Sequence, residues 1–334
     1  MPEALNFQWH FTNRCNLRCR HCYQDFFRDV PSWTDPVLVG KRLLASLAKH
    51  GLKATFALTG GEPLLVRDTL FAILELLETH PSAEEISIIT NATLFNQGLL
   101  DMLSRFRKLV SFKISLEGAD PKSNDFIRGR GNLEKVVESL KMICRQKRFD
   151  VYVMYTLHRG NFLEWQSLLP LLFELGVKGL ILERFVPEGK GKLMRELVLD
   201  RSMWKTLIQA LIAFCRLEEV EPLQLLPYKA FMVSMAERSL LGALCELGRS
   251  FCIMPDAALF PCRRLPLVLG YLDRDDFMDI LSGSTLLSNL KDKSKMSGQC
   301  GSCAFKSCVG CRALAYALSG DAFAEDVQCF LSES

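Results

Sequence analysis

No stretch of the 334 residues reaches the roughly 18 consecutive apolar residues of a membrane-spanning helix, so such a helix is excluded. The start, MPEALNFQWHF, has no basic segment leading into an apolar one and hence no secretory signal. One sign of charge does not dominate either. Forty-one Lys and Arg face 38 Asp and Glu, and a net charge of +3 is too small for a nucleic-acid footprint. Neither an internal repeat nor a low-complexity tract interrupts the chain. With 49% hydrophobic and 24% charged residues, disorder is excluded and a core for two domains is available. A cytoplasmic protein with no membrane and no nucleic-acid partner is the expectation.

Cysteine, by contrast, is abundant, and the count of 13 is odd. In a reducing cytoplasm that does not fit a disulfide framework. Cys15, Cys19 and Cys22 share one loop, and Cys245, Cys252, Cys262, Cys300, Cys303, Cys308, Cys311 and Cys329 crowd the last ninety residues. Cys144 and Cys215 stand alone. Each follows a leucine (Leu140, Leu211) by four residues on an expected helix and reads as a core residue.

Strand-like and helix-like patterns alternate over the first 185 residues. Residues 5–12, 53–58, 85–90, 109–116, 151–157 and 179–185 read as strands. Residues 36–50, 67–79, 96–107, 132–148 and 162–175 read as the helices between them. Strands joined by helices run parallel with right-handed crossovers, and Ile86-Ser87-Ile88-Ile89 is apolar enough to be covered on both faces. Six units fall short of the eight of a closed barrel. The expected fold is therefore α/β, a partial (β/α)6 TIM-type barrel over residues 1–195, with function at the carboxyl ends of its strands. A glycine-bearing turn, VPEGKGK, spans 186–192. Residues 196–243 read as a helical linker, with helices over 201–218 and 228–241. Residues 244–334 lose the alternation and form a cysteine-rich domain. Of the histidines, His10 is placed inside the barrel, His50 and His80 at helix C-termini, and His158 in a capped loop after the fifth strand.

The first cysteine loop reads CxxxCxxC followed by Tyr23. Three thiolates on one loop can bind three irons of a [4Fe–4S] cluster, which leaves the fourth iron open for chemistry. A structural zinc site asks for four ligands, commonly as two CxxC pairs. His21 is the nearest fourth candidate, but beside Cys22 it is expected to point away.

This loop and the elements after it resemble the radical S-adenosylmethionine (SAM) superfamily. Thr59-Gly60-Gly61-Glu62-Pro63 follows the second strand and is similar to that family's GGEP element. Asn91 ends the third strand, in a motif where Ala92 replaces the usual glycine. Ser115-Leu116-Glu117-Gly118 ends the fourth and resembles SLDG, with Glu117 for aspartate. Ile127-Arg128-Gly129 resembles IRG, and Arg184 lies at the end of the sixth strand. Each element alone is weak; their order, each after an expected strand, is specific. The resemblance implies a catalytic cluster on Cys15, Cys19 and Cys22, with SAM chelating its open iron. Gly60, Gly61, Asn91, Ser115 and Arg184 would line the SAM site. Tyr23 would lie near adenine, Glu62 accept from the ammonium, Glu117 bond the ribose and Arg128 pair with the carboxylate. Reductive cleavage of SAM then gives a 5′-deoxyadenosyl radical that abstracts a hydrogen atom, and the protein orients the cofactor and excludes water. A flavodoxin- or ferredoxin-type electron donor is implied.

The tail resembles the SPASM domain of radical SAM enzymes that modify peptides. Its eight cysteines suit two further [4Fe–4S] clusters, making three in all. Carried over from that family, Cys245, Cys252, Cys262 and Cys311 would hold auxiliary cluster I, and Cys300, Cys303, Cys308 and Cys329 auxiliary cluster II. Two zinc sites are the alternative. The tetrad CxxCx4CxxC is one residue shorter in each of its last two gaps than the family pattern, and Ala257 stands where a glycine is usual. The run Gly310-Cys311-Arg312-Ala313…Gly320-Asp321 is closer to relatives linked to haem biosynthesis and to some peptide maturases.

The leading expectation is a radical SAM/SPASM oxidoreductase that modifies a peptide or protein substrate, of the kind that matures ribosomally made peptides. A tetrapyrrole-modifying enzyme of the haem-biosynthesis type is second. An anaerobic sulfatase-maturating enzyme is disfavoured, because its acidic residue after the third upstream cysteine is here Arg263, followed by Arg264. These two arginines read equally as attractors of an acidic substrate and as a solvated pair. A non-catalytic iron–sulfur carrier needs none of the SAM elements. Only about four residues precede the first strand, so no leader-binding domain is expected, and a separate recognition protein or the SPASM face would capture a peptide.

Overall fold

The computed structural model describes residues 4–31, 33–306 and 308–331. The expected alternation is present. Strands β1 (Leu5–His10), β2 (Ala54–Thr59), β3 (Ala83–Thr90), β4 (Leu109–Ser115), β5 (Asp150–Leu157) and β6 (Gly179–Arg184) pair in that order, all parallel. Helices α1 (Pro36–Lys49), α2 (Arg67–Thr79), α3 (Gln97–Leu103), α4 (Pro121–Arg128), α5 (Asn132–Arg145) and α6 (Trp165–Leu175) connect them, and α7 (Arg201–Cys215) follows. The fold is an α/β partial barrel.

Local chemistry sets the helix starts. Asp35 caps α1 by accepting from the Val37 N–H, with Pro36 in the first turn. Asp120 caps α4 by accepting from the Lys122 and Ser123 N–H groups, again with proline at the first position. Alternate residues of each strand face opposite ways. On β1, Phe7 and Trp9 are buried in the hydrophobic core, while Asn6 and Gln8 line the barrel interior. Cys144 and Cys215 are partly buried against the core.

Two expectations are corrected. Residues 228–241 do not form a helix. Strands β7 (Ala230–Ser234) and β8 (Leu240–Ala243) form an antiparallel hairpin there, added to the free edge of β6. The exposed edge of β6 offers unpaired backbone groups, and pairing overrides the helical spacing of the apolar residues. The cysteine-rich segment is also partly sheet. Strands β9 (Ser250–Ile253), β10 (Ala258–Phe260) and β11 (Gly270–Tyr271) continue beyond β1, with β9 parallel to it. The result is one eleven-stranded sheet in the order β11-β10-β9-β1-β2-β3-β4-β5-β6-β7-β8. Among the described residues no helix is long and apolar enough to cross a membrane.

Candidate active site

The cysteine loop leaves the carboxyl end of β1 and is tied down before any ligand is considered. The Thr12 hydroxyl and the Asn13 N–H donate to Asp29, at 2.8 and 2.7 Å. The TGGEP loop docks on it through Gly61 N to Thr12 O (2.7 Å) and Glu62 N to Arg14 O (2.8 Å). A Cβ at Gly60 would sit 2.6 Å from Thr12 O, and one at Gly61 2.3 Å from Arg14 O. Both positions therefore require glycine because two backbones meet there.

Donors converge on the sulfurs. Leu17 N–H lies 3.4 Å from Cys15 Sγ, Asn91 Nδ2 4.0 Å from the same sulfur, and Arg128 Nη1 3.7 Å from Cys19 Sγ. Burial pushes the Cys15 thiol up to about 12 and raises that of Cys22. Thiolates in this loop need a cationic partner, a role that iron can fill. His21, as expected, points away: its Nε2 is 3.1 Å from Glu117 Oε1.

Glu117 is fully committed. Oε1 accepts from His21 and from Arg128 Nη2 (2.5 Å), and Oε2 from the Thr156 N–H (2.8 Å). Against the cost of burial, Arg128 and then His21 hold its carboxyl down to about 2. Glu62 is also buried and committed, accepting from Leu64 N–H, Thr90 Oγ1 and Asn91 N–H. Burial pushes its carboxyl up to about 7.

Eight of the residues expected at the cofactor line one cup at the strand ends: Cys15, Cys19, Cys22, Tyr23, Gly60, Gly61, Asn91 and Ser115, with Arg128 closing it. Three do not. Glu62 and Glu117 stand behind the wall and hold Asn91 and Arg128 in place. Arg184 turns the other way, where its guanidinium covers Trp204 at 4.1 Å and pairs with Asp326 at 2.8 Å. Tyr23 Oη is 3.0 Å from His10 Nδ1, and burial followed by Arg263 lowers the imidazole to about 3. His10 is thus inside the barrel. His50 and His80 end α1 and α2, and His158 accepts from Gly160 N–H in its loop.

A second cavity of about 560 Å³ lies in the barrel interior and shares Glu183, Val186, Arg263 and Arg264 with the cup. The arginines are not a solvated pair. Arg264 Nη2 and Arg263 Nη2 lie 3.1 and 3.4 Å from Glu183 Oε2, and Arg263 covers the Tyr23 ring at 4.8 Å. Glu183 and Lys113 were not singled out from sequence. The available signal was an ionisable residue in each of two apolar strands, LVSFKIS and GLILER. Burial opposes the charge on Glu183, yet Arg264, Arg263 and Lys113 together hold its carboxyl low.

The tail sulfurs are likewise ringed by donors. Cys300 faces Arg312 Nη2 (3.6 Å) and Asp326 N–H (3.3 Å), Cys303 faces Lys293 Nζ (3.0 Å), and Cys308 faces Lys229 Nζ (3.4 Å). Cys245, Cys262 and Cys311 open onto the large cavity, and Cys252 lies on β9 opposite Gln8. Among the described residues no three His, Cys, Asp or Glu side chains form a group able to hold a metal ion.

The sequence profile of the Radical SAM superfamily matches residues 9–169. The chain carries a radical SAM domain. It is 26% identical to the AdoMet-dependent heme synthase of Methanosarcina barkeri, across 96% of this chain and 95% of that protein. It is 24% identical to the antilisterial bacteriocin subtilosin biosynthesis protein AlbA of Bacillus subtilis, across 91% and 68%. Streptococcus suis SuiB bound to precursor peptide SuiA superposes with a TM-score of 0.71 at 16% identity, across 98% of this chain and 76% of that one, a likeness of fold. The protein is a radical SAM enzyme, binding SAM and a [4Fe–4S] cluster.

Proposed function

We propose that this radical SAM enzyme holds its catalytic cluster on Cys15, Cys19 and Cys22 and modifies a peptide or protein. The supporting observation is the place of β8. This terminal strand is largely exposed and runs into the large cavity, whose wall continues through Ala243, Leu244, Cys245 and Glu246. An open strand edge accepts an extended peptide by main-chain pairing. The likeness to AlbA and to SuiB, the latter solved with its precursor peptide, agrees with this.

When bound, the cluster supplies the electron that cleaves SAM to a hydrogen-abstracting radical. The chain's own residues do the rest. Arg128, fixed by Glu117, presents its second nitrogen to the cup. Asn91, anchored through its backbone to Glu62, faces Cys15. Tyr23, held by His10 and Arg263, lines the cup, and Arg263 borders both the cup and the substrate cavity. On the same reading residues 1–195 form the barrel and 196–243 a linker. Residues 244–334 carry auxiliary cluster I on Cys245, Cys252, Cys262 and Cys311 and cluster II on Cys300, Cys303, Cys308 and Cys329. A flavodoxin- or ferredoxin-type protein delivers electrons.

A tetrapyrrole substrate is the second reading. It is favoured by the Gly310-Cys311-Arg312-Ala313…Gly320-Asp321 run and by the nearly full-length likeness to a heme synthase. Anaerobic reconstitution followed by dithionite and SAM tests both. Release of 5′-deoxyadenosine is expected, and its absence rejects the radical reading. Deuterium transfer into it from a labelled peptide or from a labelled porphyrin decides the substrate.

A further inference from the structure

We propose that Lys113, Arg263 and Gln8 form a recognition site for substrate carboxylates in the barrel wall beyond the SAM cup. The proposal rests on the radical SAM reading of that cup and names the chemistry of what lies against it.

Three cations, Lys113, Arg263 and Arg264, face the large cavity around one carboxylate, Glu183. Both arginines reach the same oxygen, Glu183 Oε2, at 3.4 and 3.1 Å. Arg264 spends a second nitrogen on the Arg184 carbonyl. Lys113 projects from the middle of β4; it is attracted by Glu183 and repelled by Arg263, and among the described residues it makes no hydrogen bond or ion pair. Arg263 Nε and Gln8 Nε2 are buried donors without an acceptor. Glu85 and Glu246 also border the cavity, but both are solvent-exposed and neither pairs with these cations.

The wall therefore holds an excess of positive charge and of unmatched donors where water is restricted. A buried donor or charge without a partner costs free energy, so the arrangement favours a ligand that brings anionic acceptors. A carboxylate meets the need: two oxygens, one negative charge, and a geometry the guanidinium can match. The cavity shares Glu183, Arg263 and Arg264 with the cup, so a carboxylate held here places the rest of the substrate next to SAM. Acidic peptide side chains and tetrapyrrole propionates both present this group.

The test is an equilibrium titration of the anaerobically reconstituted protein without reductant, using two matched pairs of probes. Coproporphyrin III and its tetramethyl ester are followed by porphyrin absorbance. The blocked peptide Ala-Glu-Ala-Glu-Ala and its glutamine counterpart are followed by calorimetry. At least one acid should bind more tightly than its neutral twin, and which one identifies the source of the carboxylate. Its affinity should fall about tenfold to a hundredfold in Lys113→Met and in Arg263→Gln. Lys113→Arg, which keeps the charge, should retain most of it and guards against a Met variant that fails to fold. Equal binding of acids and neutral twins, no binding of either acid, or unchanged affinity in both charge-removing variants overturns the site. Release of 5′-deoxyadenosine is measured separately. A protein that releases it but ignores carboxylates loses this site alone, and one that binds carboxylates without releasing it loses the radical reading alone.

Discussion

Arg184 on β6 and Asp326 in the tail, 142 residues apart, form a buried ion pair at 2.8 Å. Asp326 Oδ2 also accepts from the Cys311 N–H at 2.8 Å, so one carboxylate binds both the barrel and the backbone of a tail cysteine. Arg184 Nε and Nη2 already lack partners. Removing the carboxylate leaves that buried cation uncompensated. Asp326→Asn should therefore cost about 3–5 kcal/mol, read from urea unfolding. Arg184→Met combined with Asp326→Asn should recover part of the loss, because no buried guanidinium is left without its counter-charge while the amide oxygen still accepts from the Cys311 N–H. A single variant within 1 kcal/mol of wild type would show that the pair does not hold the tail to the barrel.

Both positions where the sequence has alanine in place of a family glycine adopt left-handed backbone: Ala92 has φ 58° and Ala257 φ 65°. A Cβ there costs about 1–2 kcal/mol, and glycine gives back about 0.5–1 through its greater freedom when unfolded. Ala92→Gly and Ala257→Gly should each stabilise the protein by about 0.5–1 kcal/mol in urea unfolding. A destabilised glycine variant would mean that contacts of the alanine methyl outweigh the strain.

The six βα units were legible because their two periodicities depend on burial, which the residue types encode directly. Helix α4 was not anticipated, although Asp120-Pro121 is a cap followed by a first-turn proline. It is short and polar on most of its surface, so it carries little periodic signal. The hairpin at residues 230–243 and the strands beyond β1 depend on partners far away in sequence, which no local pattern reports. In the site, the cysteine loop was readable from spacing alone. The roles of Glu62 and Glu117 were not: sequence placed their carboxylates on the ligand, whereas the structure commits both to neighbouring protein groups. Lys113 and Glu183 became visible only when β4 and β6 brought them to one cavity.

Glu117 should make stability depend on pH with a definite sign. Its folded value of about 2 lies below the ordinary 4.5. The stabilisation is therefore complete above 4.5 and is lost as pH falls through about 2. A shift of this size corresponds to about 3 kcal/mol. Glu117→Gln should lower the urea midpoint at pH 7, with a gap to wild type that stays constant down to pH 5 and narrows below 4.5. A gap that widens on acidification would contradict the ion pair with Arg128.

The cysteines separate into two predicted classes with different readouts. Cys15, Cys19 and Cys22 share the cup with Arg128 and Asn91, so alanine at any of them should abolish 5′-deoxyadenosine release. Cys308, with Lys229 Nζ at 3.4 Å, belongs to the proposed auxiliary cluster II far along the chain. Cys308→Ser should lower iron and sulfide by about a third, the share of one cluster in three, while uncoupled SAM cleavage persists. Iron and sulfide assays with electron paramagnetic resonance of the reduced protein check both. Zinc in place of iron, or unchanged iron in Cys308→Ser, would remove the tail from the electron path and leave the cup as the cluster site.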